Sequence, residues 1–368
     1  MNGMRRIYKH LFLVFLVFCI AQKLISANEP VINKNEQSSH QTEEKFNPGE
    51  FIFDHINDSY SWHILSFKNF ELAIPLPVIL YSKHTGWHIF MSSKFHHGHS
   101  SYQGFEIAKD GQNKGKVIEI FENGSTIVPF DISITKNVFA LLISLALLLW
   151  IFLSIAKKYK QNPQKAPSGL QSLLEPLILF VRDDIARPSL GDHKYEKYMP
   201  YLLTVFFFIW FNNMLGIFPT FPGGANLTGN IAITMTLALC TFIITLINGN
   251  KNYWVHIVNA PGVPWWLKIP IPLIPIIEIM GLFIKPFVLM VRLFANMLAG
   301  HIIALGFFSL IFIFGAMNAL LGSSVSIFSV AFAIFMTMLE LLVAFIQAYV
   351  FTLLSAIYFG MATEEAHH

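Results

Sequence analysis

Ile271–Met317 is an almost uninterrupted apolar run. As one helix it would be on the order of 70 Å long, about twice the ~30 Å hydrocarbon core of a bilayer. It cannot stand upright as a single span. It has to tilt steeply, bend or break, and Pro275 and Pro286 are available for a bend. A second long run, Val325–Phe359, follows the uncharged turn Gly322–Ser324. Two such helices side by side make a broad wall. Of the 368 residues, 54% are hydrophobic and 13% charged, which implies a polytopic membrane protein. A net charge of +3 gives no footing for nucleic acid. Cys19 and Cys240 provide neither a disulfide nor a metal framework.

Charges nevertheless stand inside these runs. At bilayer depth each costs about 2.5–3.5 kcal/mol on insertion scales, so such residues face a partner or a wet path. Glu278, Lys285, Arg292 and Ala299 fall seven apart and form one slowly drifting stripe on a helix. Asn296 is one turn past Arg292 on nearly the same face. Ala295, Ala299 and Gly300 are small and admit a close neighbour. The stripe reads as a contact face with one buried cation, not as a lipid-facing surface. In the last run Glu340 and Gln347 are again seven apart and share a face. His301 lies nine residues beyond Arg292, about 180° round the helix, where it can meet Glu340. Two adjacent helices with polar groups on one face each suggest a proton path.

The segments R-L-F-A-N-M-L-A-G-H (Arg292–His301) and E-L-L-V-A-F-I-Q-A-Y-V-F (Glu340–Phe351) resemble subunit a of the rotary F-type ATP synthase. The resemblance covers residues 138–364 and does not reach 28–136. It implies a stator arginine at Arg292, an asparagine partner at Asn296 and a glutamine partner at Gln347. The residues themselves add His301 and Glu340, one imidazole and one acid on a shared half-channel of the proton path, a pair that some family members resemble with the two residues exchanged, and Glu278 and Lys285 as supporting polar groups. The resemblance also implies a c-ring of small hairpin subunits, a subunit b stalk and other ATP synthase subunits as partners, besides membrane lipid. No cofactor, metal or nucleic acid is implied. The chain itself would be non-catalytic, since it has no phosphate-binding motif. Where this family often carries an acidic residue before the third span, Asn226 and Asn230 stand instead. A proton-coupled secondary transporter is the alternative. The absence of an internal repeat and the odd number of spans speak against it.

The rest of the chain sets the topology. Arg5, Arg6 and Lys9 precede the apolar Leu11–Ile20, which is too short to span, and Ser26-Ala27 offers a cleavage site, so residues 1–27 read as a signal peptide. Residues 28–136 are polar at first and then carry short apolar runs punctuated by turns such as Asn123-Gly124. They read as a small β-rich domain in the periplasm. His96, His97 and His99 lie there in what reads as a solvated loop. Gly111–Lys116 matches a phosphate loop only loosely, because Val117 stands where Ser or Thr is needed. The membrane domain, 137–368, has spans near 138–156, 201–218, 230–247, 271–317 and 325–359. Lys157, Lys158, Lys160 and Lys165 place the inner end of the first span in the cytoplasm of a bacterial inner membrane. Lys251, Lys268 and Trp265-Trp266 place the connection after the third span there too, and the return of the last run brings Glu364-Glu365, near the end of the chain, to the same side. Leu170–Ala186 reads as a helix at the membrane surface or against the bundle. The fold class is therefore an all-α polytopic membrane protein of about five transmembrane helices, the last two long and tilted, with a small β-rich N-terminal domain.

Overall fold

The computed structural model describes residues 48–49, 52, 56–67, 70–98, 100–109, 111, 113–121, 124–161, 166–218, 223–258 and 273–364. The expected leader, His99, Trp265-Trp266 and Lys268 lie outside the described residues. The chain divides into two units. One comprises Met1–Leu142 with Pro219–Ala225 and Phe312–Gly322, and the other comprises the remainder.

The first unit holds the strands β1 (Ser61–Phe67), β2 (Phe70–Pro75), β3 (Pro77–Ser82), β4 (Gly86–Met91), β5 (Phe105–Ile107), β6 (Val117–Ile120), β7 (Thr126–Ile127) and β8 (Phe130–Asp131). They pair as β1-β2, β4-β3-β8 and β5-β6-β7, all antiparallel. Alternation along β3 buries Val78 and Leu80, which meet Phe90, Phe95, Phe105 and Val117 in one core. Phe90 lies edge-on to Phe95 at 5.3 Å and to Tyr102 at 5.1 Å. Tyr60 closes this core and donates its hydroxyl to Asp131 Oδ2 at 2.6 Å. Burial, with the Asp131 carboxylate beside it, pushes the Tyr60 phenol well above its ordinary range.

Helix α1 (Lys136–Gln161) begins within this unit. Lys136 N–H donates to Ser59 O at 2.8 Å, and Asn137 N–H donates to Asp58 Oδ1 at 3.0 Å. Asp58 thus caps a helix that begins far away in sequence. Desolvation pushes its carboxyl above the usual carboxylate range. Asp58→Ala is expected to cost about 1 kcal/mol, as the loss of an N-cap does. Amide exchange at Asn137 in the reconstituted chain should become faster, and unchanged exchange would deny Asp58 that role.

The second unit carries α2 (Leu170–Phe180), a wide-turn segment at Val181–Ala186, α3 (Arg187–Leu190), α4 (Tyr195–Ile217), α5 (Ile231–Ile247) and α6 (Lys251–Val258). The long helices α7 (Leu273–Met317) and α8 (Ala319–Thr363) have 45 residues each. Four described helices are long and apolar enough to cross a membrane, or five if α5 and the helix after it, bent by 108°, count as one. The stretch read from sequence as a surface or bundle helix is α2 with the wide turn. It buries Leu174, Val181 and Ile185, while Asp183 pairs with Arg182 at 2.8 Å and Arg187 at 3.1 Å on its exposed side.

Two elements differ from expectation. The connection after α5 contains the helix α6. Asn250, at the bend, donates from N–H to Ala362 O at 2.8 Å and from Nδ2 to Thr363 O at 3.0 Å. The Lys194 ammonium also donates to Thr363 O, at 2.8 Å, so a cation satisfies the carbonyl end of α8. The turn between α7 and α8 falls at Asn318, not at Gly322–Ser324. Asn318 Oδ1 accepts from Leu320 N–H at 2.9 Å and caps α8. Gly322 abuts Gly315 so closely that a Cβ there would lie 2.6 Å from Gly315 Cα. Helix α7 passes through Pro286 without a break.

Candidate functional site

Helix α7 has two unlike sides at mid-length. Leu289, Leu293 and Met297 are 1% exposed and pack inward. Arg292, Ala295, Asn296 and Ala299 are exposed. The helical period accounts for the split, since positions three, four and seven apart share a side. The cation and amide thus stand on an uncovered face beside small residues. Along the same stripe Glu278 and Lys285 are half-buried. Lys285 Nζ sits 5.6 Å over the Tyr358 ring of α8. Lys285 and Tyr358 line a cleft with Thr241, Thr245 and Tyr253. Glu278 is within electrostatic reach of Lys285 and Tyr253, and Arg292 of Tyr358. This gives the lower stripe a polar wall.

On the other side of α7, His301 meets α8. Its Nδ1 lies 3.9 Å from Glu340 Oε1, with both side chains largely covered. Gly300 permits the approach, because a Cβ at that position would run into the Glu340 carboxylate. Glu340 Oε1 accepts no hydrogen bond among the described residues. Gln347 is buried on the same side of α8 as Glu340, with Ala344, Ala348 and Phe351. Arg292 and Gln347 share no hydrogen bond among the described residues. The structure therefore brings together His301 with Glu340, and Lys285 with the charge of Glu278. It sets Arg292 and Asn296 on the uncovered part of the Glu278–Lys285 stripe, on the other side of α7 from His301.

Sequence reasoning gave no role to a polar group that completes this region. Thr228 Oγ1 donates to Asn213 Oδ1 at 2.6 Å, and Asn213 Nδ2 donates to Ala344 O at 3.4 Å, one turn past Glu340. Asn212 is buried beside it, with its Oδ1 unpaired among the described residues. Asn226 accepts from Gly229 N–H at 2.8 Å, and Asn230 caps α5 by accepting from Ala232 N–H at 2.9 Å. The only signal available beforehand was two adjacent asparagines inside an apolar span.

Residues 138–360 match the family described as ATP synthase A chain. Residues 51–136 match a separate family, described as Domain of unknown function (DUF8433). Among similar proteins, ATP synthase subunit a of Chloroherpeton thalassium is 42% identical over 245 residues, 65% of this chain and 69% of that one. ATP synthase subunit a 2 of Prosthecochloris aestuarii is 47% identical over 246 residues, 65% of this chain and 71% of that one. The Myxococcus xanthus ATP synthase subunit a is 44% identical over 248 residues, covering 65% and 75% respectively.

Proposed function

The chain belongs to the ATP synthase A chain family, and we propose that it is the stator proton-channel subunit of an F-type ATP synthase. It is a multi-pass membrane subunit of that complex. In this reading the uncovered face with Arg292 and Asn296 meets a c-ring whose subunits each carry one membrane carboxylate. That uncovered face is the observation that carries the reading, since a fixed cation is costly against lipid alone. Catalysis of ATP formation belongs to other subunits, and a subunit b stalk holds the chain against rotation. The N-terminal β-rich region lies outside the cell membrane and the C-terminus in the cytoplasm.

The chemistry follows from a charge that cannot be switched off. Arginine does not deprotonate in a protein, so Arg292 favours the ionised form of any ring carboxylate that reaches it. A carboxyl group arriving protonated gives its proton to one aqueous half-channel, passes Arg292 as the anion, and is reprotonated from the other. The Glu340–His301 pair, with Asn212, Asn213 and Thr228 nearby, supplies one half-channel with an acid, a base and hydrogen-bonding groups for water. The cleft lined by Lys285, Tyr253 and Tyr358, with the Glu278 charge within reach of Lys285, supplies the other. Arg292 bars direct passage between them.

Purification through a tag on this chain should recover a small hairpin subunit together with a catalytic sector. Recovery of the chain alone, with proton-driven solute uptake in its own proteoliposomes, would point to a secondary transporter. A finer test concerns Gly300. Gly300→Ala places a methyl group against the Glu340 carboxylate, and such overpacking costs about 1–3 kcal/mol. ATP-driven acidification of inverted vesicles should fall several-fold while the assembled complex is recovered at normal yield. Normal pumping in this variant would show that the Glu340 position is not critical.

A further inference from the structure

One sheet of the N-terminal unit is apolar on both faces. The register sets Tyr81 opposite Trp87 and Phe130, and Ile79 opposite Ile89. Pro77 faces Met91, and Ile132 N–H donates to Ile79 O at 2.9 Å. Side chains opposite one another share a face, so these residues form a single surface. The other face, with Val78, Leu80 and Phe90, is the core. An antiparallel sheet with one wet face ordinarily turns polar residues outward. Here Trp87 is 60% and Ile89 71% exposed, and Tyr81, Met91, Phe130 and Ile132 are exposed beside them. A contiguous apolar surface of this kind marks a place where something binds.

We propose that this face is a membrane-surface platform, resting in the headgroup layer of the bilayer that α1 crosses. The bonds at the root of α1 favour lipid as its occupant. Ile134 N–H donates to Pro77 O at 3.0 Å, and Lys136 N–H donates to Ser59 O at 2.8 Å. Trp62 and Phe139, inside the first turn of α1, meet edge-on at 5.9 Å. The sheet is thereby fixed to the start of a membrane-spanning helix. Val138, where the apolar span begins, is four residues past Ile134, a chain reach of at most about 14 Å. The headgroup layer on each side of the core is about 5–8 Å deep. The Pro77–Met91 end of the face therefore cannot be far from that layer.

The side chains also suit lipid. Tyr81 and Trp87 pair with ring centroids 5.1 Å apart at the far end of the face, and both types favour the membrane interface. Lys83, exposed in the adjoining turn, can reach lipid phosphates while its stem lies along apolar surface. The face itself carries no charge, as insertion among headgroups and upper acyl chains requires.

Site-directed spin labels test this in the full chain within the purified complex, reconstituted in vesicles of phosphatidylethanolamine and phosphatidylglycerol. Cys19 and Cys240 are first replaced by serine. Labels are then placed through Ile89→Cys or Met91→Cys, with Lys109→Cys as an exposed control off the face. Collision with molecular oxygen, which concentrates in lipid, is compared with collision with a water-soluble nickel chelate. The oxygen-to-nickel ratio at 89 and 91 should exceed that at 109 several-fold, and should fall to the control value when the complex is moved into detergent-free amphipol. Nickel-dominated collision at both positions in vesicles would mean that the face is in water. Exclusion of both reagents would mean that another protein covers it. Either result overturns the platform.

Discussion

Replacing Arg292 by alanine is expected to abolish proton-driven ATP synthesis while leaving the complex assembled. The side chain lies on the uncovered face of α7 and makes no hydrogen bond among the described residues, so its removal leaves no hole in the bundle. What is lost is the charge that holds a passing carboxylate ionised. Two unit charges about 4 Å apart at an effective dielectric of 20 interact by about 4 kcal/mol, which is about a thousandfold in rate. Passive proton leak through the membrane sector should rise in the same variant, since the barrier between the two half-channels is gone. Arg292→Lys should also fail. An ammonium is a shorter point charge without the planar donor fork, and it can give up its proton when desolvated. Synthesis in inverted vesicles, normalised to complex recovered, measures both variants. Coupled synthesis near the parental rate in either one would contradict the role.

The second large effect concerns His301 and Glu340. With Nδ1 and Oε1 3.9 Å apart, the pair offers one acid and one imidazole in a single pocket. His301→Glu would put two carboxylates there, and like charges at that range cannot both ionise at ordinary cost. Glu340→His would leave two imidazoles and no acid. Each single exchange is expected to cut ATP-driven pumping by about a hundredfold, the low end of the range general acid–base groups contribute. The double exchange restores one group of each kind and should recover a substantial part of the loss. A merely structural hydrogen-bonding pair would tolerate Glu340→Gln with pumping intact, so that variant separates the two roles. Normal pumping in both single exchanges, or a double no better than the worse single, would refute the shared half-channel.

The polar frame of this region was readable because helical periodicity is a local property. A seven-residue spacing is enough to put Lys285 and Arg292 on one stripe and Glu340 and Gln347 on another. A nine-residue spacing is enough to turn His301 away from Arg292. The class of the fold, long apolar helices after a small β-rich region, was likewise legible from run lengths and turn residues. What escaped depends on contacts between distant positions. Asn213 finds Thr228 across a loop. Gly300 matters because of a carboxylate forty residues on. The Gly-Ser-Ser run at 322–324 has the composition of a turn, yet it continues α8, because Asn318 caps the helix and Gly315 with Gly322 lets the hairpin close. The bend before α6 is held by Asn250 through carbonyls at the far end of the chain.

Photocrosslinking in intact membranes shows whether the Arg292 face meets a ring of carboxylate-bearing hairpins. A diazirine-bearing side chain is introduced at Ala295 or Ala299, both exposed beside Arg292, and at Met338 on the exposed surface of α8 as a control. After irradiation, adducts are identified by mass spectrometry. Positions 295 and 299 should each yield a covalent adduct with a small hairpin subunit, mapped to the helix that bears its membrane carboxylate, and position 338 should yield lipid. Lipid adducts alone at 295 and 299, in membranes that sustain ATP synthesis, would mean that this face meets lipid and not a ring.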